Sequence, residues 1–231
     1  MTSRINIVFL GFLVWLADSG FSYQNSAFSL QVGGGLSTYK SEMVASVDTS
    51  TSSGISLESN AGSQGQISAF ISQVNNTTSF QFTAGGVPSG STTSFIDSGF
   101  LFRWKWLQLG PAWSSLYAEI DREGSPHIRG TGLGQGGRVA LVIPIRKGSH
   151  IFLKATQTSY STFNEAIQEL DAAALGTRSD LFIGGRVRVT KSLISFDMGY
   201  RQQTFVMSLL GTTTSEAITT TWVGLNFHWR P

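Results

Sequence analysis

The chain has no cysteine, so no disulfide contributes to its stability and a small disulfide-stapled scaffold is excluded. Charge is scarce: Asp, Glu, Lys and Arg make up 13% of the 231 residues, about half the roughly 25% usual for soluble domains. That is too little to coat an ordinary water-facing surface. Beyond the N-terminal segment no stretch approaches the roughly 20 consecutive apolar residues of a membrane-spanning helix. The formal net charge is only +2 and no run of Lys or Arg occurs, which excludes a nucleic-acid partner.

What is present begins with MTSRINIVFLGFLVWLADSGFS. A basic Arg4, an apolar core from Ile7 to Ala17 and small residues at Gly20 and Ser22 are ordered as in a secretory signal peptide, so residues 1–22 are read as an export signal. A cut after Ser19 fits the pattern almost as well. Residues 23–231 are then a single exported domain.

In that domain apolar and polar residues alternate with period 2, the pattern of strands with two unlike faces. In RVRVTKSLISFDMGYR, Val187 and Val189 oppose Arg186 and Arg188, while Ile194, Phe196, Met198 and Tyr200 oppose Ser195, Asp197, Gly199 and Arg201. RVALVIPIRKGSHIFLKA repeats the arrangement, with Val139, Leu141, Ile143 and Ile145 followed by Ile151, Leu153 and Ala155. AFSLQVGGGLSTY, QISAFISQ, SFQFTA, GFLFRWKWLQL, AWSSLYAEID and TTTWVGLNFHW complete the set, with Phe80 and Phe82 placed on the apolar face of SFQFTA and with the outward face of AWSSLYAEID undecided between Leu116, Ala118 and Ile120 and the pair Trp113 and Tyr117. About ten strands result, with eight the alternative.

Short turns at 190–192, 146–150 and 109–111 face long segments near 39–65, 121–136, 159–179 and 202–218. This predicts an all-β, antiparallel, up-and-down transmembrane β-barrel with its short turns at one end and long polar loops at the other. The charged face is rich in Gly, Ser and Thr and suits a narrow lumen. Trp104, Trp106, Tyr200 and Trp229 near strand ends suit a membrane interface. The competing fold is a soluble exported barrel of lipocalin type, with the apolar faces forming an internal ligand cavity. The segment STFNEAIQELDAAALG leaves period 2. Phe163, Ile167, Leu170 and Ala174 recur at helical spacing, Thr162 and Glu165 form a capping box and Gly176 suits a stop, so a short helix is expected in that loop.

The signal segment, the glycine-rich strand SLQVGGGLSTY, the two hairpins and the final strand WVGLNFHW together resemble the small outer-membrane β-barrel proteins of diderm bacteria, OmpA-like barrels among them. The resemblance implies a bacterial outer membrane, a monomer surrounded by lipid, a final strand closing on an aromatic (here Trp229), and loops that meet lipopolysaccharide or other extracellular surfaces.

If the apolar faces look outward, the lumen is lined by Arg103, Lys105, Arg138, Lys154, Arg186, Arg188, Asp197 and Arg201, with basic groups in excess and Leu107, Val142 and Phe152 helping to block one end. A structural network in a mostly closed lumen is the expectation, because barrels this small are largely filled by side chains. A small anion-preferring pore is the alternative. No catalytic, cofactor-binding or metal-binding residue is assigned. GLGQGG at 132–137 matches a dinucleotide fingerprint but follows a polar loop and enters a strand, so it is read as a loop. His127, His150 and His228 form no metal motif, and AGSQG at 61–65 lacks the strand-to-helix setting of a nucleophile elbow. Asp121 and Glu123 near His127 are the residues a surface hydrolase would use.

Overall fold

The computed structural model describes residues 27–41, 44–61, 67–82, 88–122, 128–146, 149–163, 175–189, 193–209 and 212–229. They form ten strands: β1 (Ala27–Ser41), β2 (Val44–Ala61), β3 (Ile67–Phe82), β4 (Pro88–Trp104), β5 (Leu107–Arg122), β6 (Ile128–Arg146), β7 (Ser149–Phe163), β8 (Leu175–Arg188), β9 (Ile194–Leu209) and β10 (Thr212–Trp229). Each strand pairs antiparallel with its sequence neighbours, and β1 also pairs with β10 from Phe28↔Trp229 to Ser41↔Glu216. The barrel is closed, so no strand edge is left unpaired. The start of β1 and the end of β10 lie together at one end, here the terminal end; the opposite end is the far end.

The apolar faces point outward. Val187 is 60% exposed and Met198 62%, whereas Asp197 between the β9 apolar residues is fully buried. From the terminal end, the outer face reads Trp229, Phe227, Leu225, Val223 on β10, Ile194, Phe196, Met198, Tyr200 on β9, and Val189, Val187, Gly185, Ile183, Leu181 on β8. Corresponding residues continue round the barrel through Ile143 and Leu141, Phe102 and Phe100, Ile67 and Ile71, Leu57 and Ile55. Six to eight residue steps at about 3.3 Å, tilted about 40°, make a band about 15–20 Å tall, near the ~25 Å of transmembrane barrels. A continuous apolar belt of this extent does not occur on soluble monomers. This belt identifies a transmembrane barrel and excludes an outward-polar, lipocalin-type arrangement. Trp104, Trp106 and Trp229 lie at its terminal rim, with Phe28 stacked on Trp229 at 5.8 Å.

Above the belt the same strands continue with a mostly polar outer face: Thr219 and Thr221 on β10, Gln202 and Thr204 on β9, Ser179 on β8, Gln157 and Ser159 on β7, Gln73, Asn75 and Thr77 on β3, with Leu36, Tyr117 and Leu133 as exposed apolar exceptions. Strands of 14 to 19 residues therefore exceed the 9 to 11 needed to cross a bilayer. Most of the four expected long loops are wall. Where both faces carry Ser and Thr, period 2 disappears from the sequence although the backbone still pairs.

Several boundaries differ in consequence. The expected QISAFISQ and SFQFTA strands are one strand, β3, while β2 occupies SVDTSTSSGISLESNA, a stretch expected to be loop. Ten strands is thus the right number with a different membership. Phe80 faces the lumen, 3% exposed and stacked on Tyr39 at 5.9 Å, rather than lipid. The turn expected at 109–111 falls instead at Lys105 and Trp106, where Lys105 takes a positive φ of 55°. Gly110 and Pro111 lie inside β5, and the β4–β5 ladder skips the two rows opposite them, since proline has no N–H to offer. On β5, Trp113 and Tyr117 face outward and Leu116 and Ala118 inward. Leu107 also faces outward and blocks nothing. GLGQGG is part of β6, not a loop. The signal segment 1–22 lies outside the described residues. So does most of the expected helix, residues 164–174; its outer members Thr162, Phe163, Leu175 and Gly176 belong to β7 and β8. His127, Glu123 and most of AGSQG also lie outside the described residues, as does the Asp121 side chain.

Candidate functional site

The lumen holds the buried ionic groups. At the terminal end it opens into a vestibule of about 590 Å³, bordered by Glu58, Arg103, Lys154, Arg186, Arg188 and His228. Arg186 of β8 grips Asp197 of β9 with Nε–Oδ1 2.6 Å and Nη2–Oδ2 2.7 Å, a two-pronged pair joining adjacent strands at the register Arg186↔Asp197. His228 Nε2 lies 2.8 Å from Ser195 Oγ, but Ser195 is fully buried and is not a nucleophile open to substrate.

Above the vestibule Phe152, Phe182 and Trp222 form an edge-to-face stack with ring centres 4.9 Å and 5.9 Å apart. These rings fit because the wall beneath them is glycine. A Cβ on Gly184 would sit 2.8 Å from the Phe152 ring and 2.6 Å from the Met198 carbonyl; one on Gly33 would sit 2.7 Å from Trp222 Nε1. Phe70 lies against Gly99 and Tyr160 against Gly134 in the same way. A narrow barrel can admit rings to its lumen only where the facing strand lacks a side chain. Lys154 lies 5.2 Å from the centre of the Phe152 ring and the Arg138 guanidinium 4.3 Å from that of Phe70.

The next layer crosses the barrel. Arg178 on β8 reaches Asp97 on β4, four places away in the ring of ten, with both contacts at 2.8 Å. It also binds Asp180 at 2.7 Å and Ser114 at 3.3 Å, and its guanidinium covers the Phe95 ring at 4.2 Å. Arg201 makes a two-pronged pair with Asp180, to which Gln203 adds a 3.4 Å contact. Phe95 on β4 meets Phe205 on β9, the diametrically opposite strand, at 6.3 Å, and Tyr160 donates to or accepts from Ser114 at 2.7 Å. Toward the far end Ser37, Ser52 and Thr220 lie within 2.9 Å of one another, and Ser52 extends the chain to Asn76 at 2.7 Å.

The structure thus brings Arg186 and Asp197 together and turns Arg138, Lys154 and Arg201 inward. Arg103 and Arg188 border the mouth of the vestibule. Lys105 is not in the wall at all: it occupies the exposed β4–β5 turn, 5.7 Å from the Trp104 ring. Val142 and Phe152 are inward at the terminal half. The residues that sequence reading missed are Glu58, Asp97, Arg178 and Asp180. The signal was available. Counting back in twos from outward Phe100 turns Asp97 inward, and counting back from inward Arg186 reaches Asp180 and Arg178. Starting the fourth strand at Gly99 leaves out Asp97 and treating 159–179 as loop leaves out Arg178, while Asp180 opens the eighth expected strand, DLFIGGRVRV, and goes uncounted. Among the described residues no cluster of His, Asp and Glu is arranged to hold a metal ion.

No protein-family profile and no curated protein matches the chain. Solved structures do. Neisserial surface protein A is 12% identical, with 88% of this chain and 99% of that one covered and a TM-score of 0.42. The β domain of the Bordetella autotransporter BrkA gives 10%, 88%, 98% and 0.43, and Ail of Yersinia pestis, solved with the heparin analogue sucrose octasulfate, gives 9%, 89%, 100% and 0.40. This chain is a closed ten-stranded antiparallel transmembrane barrel, and the solved structures it is similar to are small outer-membrane β-barrels.

Proposed function

We propose that the protein is a non-conducting barrel of a bacterial outer membrane, seated in lipid by its terminal half and presenting its far half above the bilayer as an interaction surface. The observation that carries this reading is the change in the outer wall, from an apolar belt to one made mostly of Ser, Thr, Asn and Gln, partway along strands that remain paired. Bare membrane crossing needs no such extension. The terminal end, with its short β4–β5 and β6–β7 connections, faces the periplasm; the far end meets lipopolysaccharide or other extracellular surfaces, with the barrel acting as a monomer.

The lumen supports the non-conducting part. Contacts across the lumen at Phe95–Phe205 and Arg178–Asp97 favour it by narrowing the axis, and Arg178, Arg201 and Arg186 there are held by carboxylates while Arg138 and Lys154 are covered by rings. Planar-bilayer recording of the purified protein should show no unitary conductance. Stable anion-selective steps would replace this reading with that of a small pore.

A further inference from the structure

Between the vestibule and the Arg178 layer lies a partly open lumen void of about 50 Å³, bordered by Arg138, Lys154, Asp97, Asp180, Arg201 and Trp222, with Ser56 and Ser72 alongside. That is several times the room one water needs, but too little for an organic ligand. The two carboxylates on its border are committed: Asp97 to Arg178, and Asp180 to Arg178 and Arg201.

Arg138 and Lys154 differ from those arginines. Among the described residues neither makes an ion pair, and each is covered instead by a ring, Phe70 and Phe152 respectively. The Arg138 Nε–H is buried with no acceptor. A cation whose buried donor is unused is stabilised by a counter-charge or an acceptor. The charges decide between them. The charged residues on its border are Arg138, Lys154 and Arg201 against Asp97 and Asp180. Three positive less two negative leaves one positive charge, and the Arg186–Asp197 pair nearby is neutral.

We propose that one small monovalent anion of the halide class binds in this void between Arg138 and Lys154, entering from the vestibule past Lys154, whose side chain borders both spaces. The anion neutralises the excess charge, accepts from the Arg138 Nε–H and locks the terminal half of the lumen. The Arg178–Asp97 contact and the Phe95–Phe205 pair lie beyond it. The halide response is read from stability, so the site is tested separately from whether the protein conducts.

The test uses the full mature barrel, extracted folded from membranes and exchanged into sodium gluconate, whose anion is too large for the void. Chloride or bromide is then titrated in at constant ionic strength, and the temperature at which the compact gel form is lost is recorded. The expected result is a saturable rise in that midpoint with either halide, lost in Lys154→Met and retained in Arg103→Gln, which removes a charge only at the vestibule mouth. Bromide-soaked crystals should show an anomalous peak between Arg138 and Lys154. Equal midpoints in gluconate and chloride would overturn the proposal, as would an unchanged halide response in Lys154→Met. Should Lys154→Met show no compact gel form, Arg138→Gln serves in its place, and a bromide peak anywhere but the void counts against the site.

Discussion

Replacing Arg178 by methionine tests the lumen network where it crosses the barrel. The side chain supplies two 2.8 Å contacts to Asp97, one of 2.7 Å to Asp180 and one of 3.3 Å to Ser114, all buried. The losses are unequal. Asp180 keeps Arg201 and Gln203, whereas among the described residues Asp97 has Arg178 as its one partner. An uncompensated buried carboxylate dominates the cost, which should be about 3–5 kcal/mol, or roughly two to three and a half decades in the folding constant. Asp97→Asn should cost less, because Arg178 retains Asp180. The double variant Arg178→Met with Asp97→Leu should recover most of the loss, since an apolar replacement of the whole pair is often neutral. Urea unfolding of the barrel in liposomes, followed by tryptophan fluorescence, measures all three. A cost below about 1 kcal/mol for Arg178→Met, or a double variant as unstable as the sum of the singles, would refute the assignment of Arg178 as the tie across the lumen.

Other perturbations probe separate parts of the account. Gly184→Val places methyl groups into the Phe152 ring and the Met198 carbonyl, so it should destabilise by about 1–3 kcal/mol and lower refolding yield, measured by the same urea titration. Met198→Arg, in the middle of the belt on β9, should cost about 2–4 kcal/mol, while Gln202→Arg two outward positions higher should cost about 0–1; equal costs would remove the boundary drawn between lipid and water. The variant Phe95→Ala with Arg178→Ala removes both contacts across the lumen and should admit small-ion conductance in planar bilayers where the parent has none.

How much of this was legible in the sequence depended on which face carried contrast. Around β8 and β9 one face is Val, Ile, Phe and Met and the other Arg, Asp and Gly, so the hairpin and the shared face of Arg186 and Asp197 follow from period 2, while the outward direction of the apolar face rests on the low charge, the short and long connections and the aromatic strand ends. Through β2 and the upper part of β10, Ser and Thr occupy both faces, and hydrophobic alternation cannot report a strand that is wet on both sides. The Gly110-Pro111 pair misled for a different reason. Its usual meaning is a turn, but here Trp104 to Leu107 makes the turn and the closed sheet tolerates a gap in the ladder three rows further on. Partners across the lumen, such as Phe95 with Phe205, depend on strand number and stagger, which no local pattern encodes.

The central claim is that the apolar faces contact lipid and the barrel rises above it. Because the chain has no native cysteine, single cysteines at Met198, Asp197 and Thr204 can each carry a small fluorophore without background. In bilayers of brominated-chain lipid, the label at Met198 should be strongly quenched, that at Thr204 quenched instead by aqueous iodide, and Asp197→Cys should resist labelling until the barrel is unfolded. Quenching of neither outward site by lipid, with Asp197→Cys freely labelled in the folded protein, would contradict the arrangement.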